Sequence, residues 1–274
     1  MLSLLPATAY LMACVLLVLG LRRDAGEARV RWLALSTWLG LMATLTHGGI
    51  LLKQAGTPWG LDLHFFAALS AVAWVVAMLS TLLMLRRSNL AALGLVVYPI
   101  AAACHVAYAL RAGSTVPASP PSWQIQLHAA LALLAYATLS LAAVMALGLW
   151  LQERALRRRQ LAAALNAFPP LTLVESLLFR QIGAGFALLT LALLTGVVFV
   201  EDLLAQHLWH KTVFSLLAWI VFGALLFGRW RHGWRGRRAV RLTLVAMVLL
   251  ALAFFGSKFV RELVLRQGVA LVTG

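Results

Sequence analysis

The chain has 274 residues, of which 63% are hydrophobic and only 11% charged, and its mean hydropathy is +0.92. A water-soluble domain carries about a quarter charged residues, so this composition excludes one and leaves the lipid bilayer as the solvent. The formal charge of +15 does not indicate nucleic-acid binding, because it lies in short patches between apolar runs, where it suits anionic lipid headgroups.

A helix needs about 20 apolar residues to cross the hydrocarbon core, and eight segments meet that requirement. The predicted fold is all-α: a polytopic integral membrane bundle of eight transmembrane helices. It forms a single membrane domain over residues 1–274, since no connection is long enough to hold a second core. The first segment, Ser3–Leu21, contains Cys14 and is followed by Arg22 and Arg23. No basic residue precedes it, so a cleavable signal peptide is not expected. The second, Trp32–Leu52, carries His47 about five residues from its end, roughly 7–8 Å below the surface at helical rise. The third, Leu63–Leu85, opens with His64. The fourth, Leu90–Leu110, holds Cys104 and His105, and Pro99 within it predicts a kink.

A connection rich in proline, glycine and serine, Arg111–Gln124, precedes the fifth segment, Ile125–Leu151, near whose start His128 lies. The longest connection, Gln152–Gln181, begins with a basic helical extension to Arg159 and breaks at Pro169–Pro170. The stretch Leu171–Arg180 then places Leu171, Val174, Leu177 and Leu178 on one face, which predicts a short amphipathic helix at the membrane interface. The sixth segment is Ile182–Val200. The loop Glu201–Lys211, with His207 and His210 three apart, leads to the seventh, Thr212–Gly228. The eighth is Ala239–Val260.

The loops on one side hold seventeen of the 23 lysines and arginines, and those on the other hold six. The basic side is cytoplasmic by the positive-inside rule, which puts both termini outside. Six of the seven histidines then gather near the outer face, and only His232 is cytoplasmic. Neutral imidazoles can ligate a metal or haem iron, although His64 and His105 are also suited to hydrogen bonds between helices. An embedded His47 needs a polar partner. His207-x-x-His210 lacks the glutamate of a zinc hydrolase signature. The two cysteines fall inside spans, without a C-x-x-C, and read as small buried hydrophobes. Tryptophans near span ends form an interfacial belt, and Trp59, Trp123 and Trp209 share the histidine side, where they can also line a flat apolar ligand. No acidic or basic residue falls near the middle of a span, which disfavours an ion-coupled transporter. Neither paired carboxylates nor a nucleophile–base arrangement is present, so an enzyme with protein-based chemistry is not expected.

These residues resemble a family. Leu127-His128, Leu131, Leu133 and Tyr136-Ala137-Thr138-Leu139 match the fifth-span motif of the cytochrome c assembly proteins of the CcsA/HemX type. Pro169-Pro170-Leu171, Glu175, Arg180, Gly185-Phe186, Leu189-Thr190, Gly196, Ser215-Leu216, Trp219 and Gly233-Trp234-Arg235-Gly236-Arg237-Arg238 continue the pattern. The resemblance is strongest over residues 120–260, weaker over 40–80, and implies a family core of about 40–262. It implies a multi-pass protein of the bacterial inner membrane that holds haem b near the outer face for cytochrome c biogenesis, alongside other assembly components. His47 matches the family's embedded histidine, and His128 the histidine beside its outer haem-handling loop. A cleft at the outer ends of the second, third, fifth and seventh spans is expected to hold the ring. His47 and His128 approach the iron, His207 or His210 substitutes for missing ligands, Trp209 stacks and Lys211 pairs with a propionate.

The chain also departs from the family pattern. Only Trp209 and Lys211 remain of its tryptophan-rich segment, Phe227 stands in place of a second embedded histidine, and no histidine follows the eighth span. A scaffold or accessory subunit without haem is therefore the alternative, with a metal or small-molecule transporter behind it.

Overall fold

A computed structural model describes residues 4–23, 26–55, 64–111, 121–157, 169–199 and 209–256. The described residues contain eight α-helices and no strand: α1 Leu5–Leu21, α2 Glu27–Ala55, α3 Phe65–Arg86, α4 Leu93–Arg111, α5 Trp123–Arg157, α6 Leu171–Phe199, α7 Trp209–His232 and α8 Gly236–Ala251. Six of them, α2 to α7, are long and apolar enough to cross a membrane, whereas α1 has 17 residues and α8 has 16. A π-helical turn, Leu252–Gly256, extends α8. The chain is a multi-pass helical membrane protein. In lipid every backbone amide needs a partner within the chain, and helices provide one for nearly all of them. Pro99 sits inside α4, and the helix continues through it.

The predicted amphipathic helix is not separate. Leu171–Arg180 and Ile182–Phe199 form one helix of 29 residues. Pro169–Pro170 supplies the only strong breaker in the region, and nothing between Arg180 and Ile182 interrupts the backbone ladder. Val174, Leu177 and Leu178 pack into the core as the first turns of a span.

The helices form two groups of four. In the first, α1 packs on α2 and α4, and α3 packs on α2 and α4. Neighbours run in opposite directions: Gly20 at the end of α1 faces Trp32 and Leu33 at the start of α2, and Gly94 at the start of α4 faces Leu17 and Met84 at the ends of α1 and α3. In the second, α5 packs on α6 and α8, and α7 on α6 and α8, while α3 against α5 joins the groups. Each group thus has one end rich in arginine and an opposite end carrying histidines.

At the basic end of the second group, Glu175 ties three elements together. Its Oε1 accepts from Arg229 Nη1 at 2.9 Å and from Arg235 Nε at 3.0 Å. The Arg229 guanidinium also lies 4.6 Å from the centre of the Phe179 ring. Gly233 and Gly236 take positive φ values of 65° and 55°, conformations that cost other residues energy. They turn the chain so that the Trp234 ring folds onto Gly228, where no side chain would fit.

Candidate functional site

At the opposite end of this second group the four helices line a cavity of about 410 Å³. Ala129 and Ala132 on α5 and Ala192 and Gly196 on α6 recur at helical spacing, so one small face meets another and leaves space. Tyr136, Leu189, Leu250 and Phe254 supply apolar bulk, and the Tyr136 and Phe254 rings lie 5.6 Å apart at 33°. The first turns of α7 contribute Lys211, Thr212 and Ser215. The cavity falls in the size range of small-molecule and cofactor sites, which are apolar with a few placed polar groups.

His128 is its imidazole. The ring rests on Gly196, where an added Cβ would come within 3.1 Å of Cε1. Its Nδ1 lies 3.2 Å from Thr195 Oγ1. Lys211, near the start of α7, is also among the lining residues. One imidazole, one cation and an otherwise hydrocarbon wall can hold a flat apolar ligand that bears acidic groups.

His47 is built into the other group of helices. It is fully buried, at 0% exposure, and its Nε2 lies 2.9 Å from Ser70 Oγ on α3 while Nδ1 lies 3.4 Å from the Tyr10 hydroxyl on α1. His105 of α4, also buried, has its ring centre 4.4 Å from that of His47. The Tyr98 ring packs 5.7 Å from Tyr10, and its hydroxyl lies 3.1 Å from Thr81 Oγ1. The result is a polar thread through the core of α1 to α4.

Residues 27–265 match the model of the family described as Cytochrome C assembly protein. The chain belongs to the cytochrome c assembly protein family. It is 39% identical over 137 residues to the inner membrane protein YpjD of Escherichia coli K12, an alignment covering 50% of this chain and 52% of YpjD. An uncharacterized 28.8 kDa protein of Azospirillum brasilense is 40% identical over 149 residues, covering 54% of this chain and 55% of that protein. The cytochrome c biogenesis protein CcsA of Gloeobacter violaceus is 33% identical over 111 residues, or 39% of this chain and 30% of CcsA. The chain thus matches about half the length of the first two relatives. No solved structure matches it.

In this cytochrome c assembly family member, the residues singled out by sequence separate into two places. His128 and Lys211 share the cavity, whose walls come from α5 to α8 and the π turn. His47 is enclosed by α1, α3 and α4 instead, with Tyr10, Ser70 and His105 around it. Trp209, 53% exposed, and His210 open α7 with their rings 6.1 Å apart, next to Lys211. His207 lies outside the described residues, as do Trp59 and most of the loops 56–63, 112–120 and 200–208. His64 is the N-cap residue of α3. Among the described residues no three His, Cys, Asp or Glu side chains gather as a metal cluster.

Sequence reasoning missed Tyr10, Ser70 and Thr195. A tyrosine in the middle of an apolar first segment is the signal that would have found Tyr10. The serine and threonine carry none, because hydroxyls in spans commonly bond their own helix.

Proposed function

We propose that this protein holds haem at the histidine end of the α5 to α8 group, in the bacterial inner membrane, as part of cytochrome c biogenesis. The observation that carries the reading is the apolar cavity of about 410 Å³ that brings His128 and Lys211 together in a member of this family. In this reading the basic ends face the cytoplasm, both termini lie outside, and the cavity lies near the outer face.

The lining suits the group. Alanine, leucine and aromatic side chains accept a flat macrocycle, a neutral imidazole is the usual protein donor to haem iron, and an ammonium group at the rim neutralises a carboxylate. When bound, haem b supplies the iron and any redox chemistry. The chain's own residues bind, orient and shield. His128 offers a nitrogen, Lys211 compensates charge, and Tyr136 and Phe254 close the apolar floor. His210 and Trp209 stand beside Lys211 as rim residues, and His207 belongs to the adjoining loop. His47, with both ring nitrogens already facing hydroxyls, serves to hold the first group together.

Visible absorption of the protein purified in mild detergent, with and without added hemin, tests this. Wild type and His47→Gln should develop a haem band, and His128→Ala should lose it. A colourless wild type that takes up no hemin sinks the proposal and favours the scaffold reading, for which Phe227 in place of an embedded histidine already speaks.

A further inference from the structure

The hydrogen bonds around His128 bear on which of its nitrogens carries the proton. Thr195 Oγ1 lies 2.9 Å from the Leu191 carbonyl oxygen and 3.0 Å from that of Ala192, and it donates to this pair. Helical threonines often turn their single hydroxyl hydrogen back on the preceding turn in this way. A hydroxyl has one hydrogen and two lone pairs, so the group that meets Thr195 Oγ1 from outside the helix must donate. That group is His128 Nδ1, at 3.2 Å. Gly196 completes the seat, because the imidazole lies where a Cβ would otherwise press on Cε1 at 3.1 Å.

We propose that Thr195 is a positioning residue that holds neutral His128 in the Nδ1–H tautomer, so that Nε2 keeps its lone pair. His128 then presents the cavity lining with an electron-pair donor rather than a hydrogen-bond donor. The class of ligand this selects is an electron-pair acceptor, such as the metal of a planar complex, over a carbonyl or carboxylate that would need an N–H. Other imidazole ligands are oriented in the same manner, by a partner on the nitrogen that does not touch the metal. The ligand assignment rests on reading the cavity as a haem site, but the tautomer does not.

The test uses the full-length protein in detergent with ¹⁵N-labelled histidine and no added ligand, at a pH where the ring is neutral. Two-dimensional ¹H–¹⁵N spectra distinguish a protonated ring nitrogen from one bearing a lone pair, and the His128→Gln variant identifies the resonances of residue 128. Wild type should show a protonated Nδ1 and a bare Nε2. Thr195→Ser should retain that pattern. Thr195→Val, which keeps the shape and removes the hydroxyl, should shift the population toward the other tautomer. Hemin affinity should fall on the order of tenfold in Thr195→Val, and little in Thr195→Ser.

A protonated Nε2 in wild type overturns the proposal, as does an unchanged tautomer in Thr195→Val. If Thr195→Val does not fold, the wild-type and Thr195→Ser spectra still decide, since both must carry the proton on Nδ1. If the tautomer is as stated and wild type takes up no hemin, the positioning role of Thr195 stands and the haem reading fails.

Discussion

Gly196→Ala places one methyl group against the candidate ligand. The new Cβ would sit 3.1 Å from His128 Cε1 and 3.5 Å from Nδ1. Carbon atoms in good contact lie about 3.5–4.0 Å apart, so the ring must give by a few tenths of an ångström. The Nδ1 to Thr195 Oγ1 distance is already 3.2 Å, so that shift stretches the hydrogen bond toward its limit. An interhelical hydrogen bond in a membrane contributes about 0.6–2 kcal/mol, and pushing a side chain off its rotamer costs about 0.5–1.5 kcal/mol. The expected total is about 1–3 kcal/mol, which as lost hemin affinity is roughly 5- to 150-fold. Hemin titration followed by visible absorption measures it. Gly183→Ala, on the same helix with nothing within 4 Å of its Cβ, is the control and should bind as wild type does. Equal hemin affinity in Gly196→Ala and Gly183→Ala would refute the seating of His128 on Gly196.

Glu175→Gln leaves Arg229 and Arg235 without their counter-charge and should destabilise the fold by about 1–3 kcal/mol, less than a fully buried pair because Arg235 is 61% exposed. Its thermal unfolding midpoint should fall, and Arg229→Met combined with it should cost less than the two changes added. Gly40→Ala drives its Cβ into the Tyr98 hydroxyl and breaks the Tyr98–Thr81 hydrogen bond, for a loss of about 1–3 kcal/mol. Thermal unfolding should show it, with hemin uptake per folded molecule unchanged, because Gly40 belongs to the other helix group. Lys211→Gln should weaken hemin binding by about 1 kcal/mol, roughly fivefold, and the difference should shrink as salt is raised; titrations at two ionic strengths check it.

The helices were legible because lipid demands long unbroken apolar runs, and each of the eight runs lies in or overlaps its own helix. Arg180 misled, since a charge suggested an interface boundary, whereas a long side chain can reach the membrane surface from inside a continuous helix. Which helices are neighbours was not legible. Segments that are apolar on every side carry no stripe to mark the packed face, so the cleft was expected among the second, third, fifth and seventh spans, while the cavity is lined by α5 to α8 and shares only the fifth and seventh with it. His128 and Lys211 were found through the resemblance, and both line the cavity. His47 and His105 sit at similar depths from their helix ends, and that matching depth was the available sign of their contact.

If the protein holds haem as proposed, the His128 imidazole meets the iron. Cavity complementation tests it most directly. His128→Gly removes the ring and leaves room for free imidazole, so the variant should show no haem band with hemin alone and regain the wild-type spectrum when imidazole is added. A His128→Gly protein that binds hemin with an unchanged spectrum, without imidazole, would contradict the account.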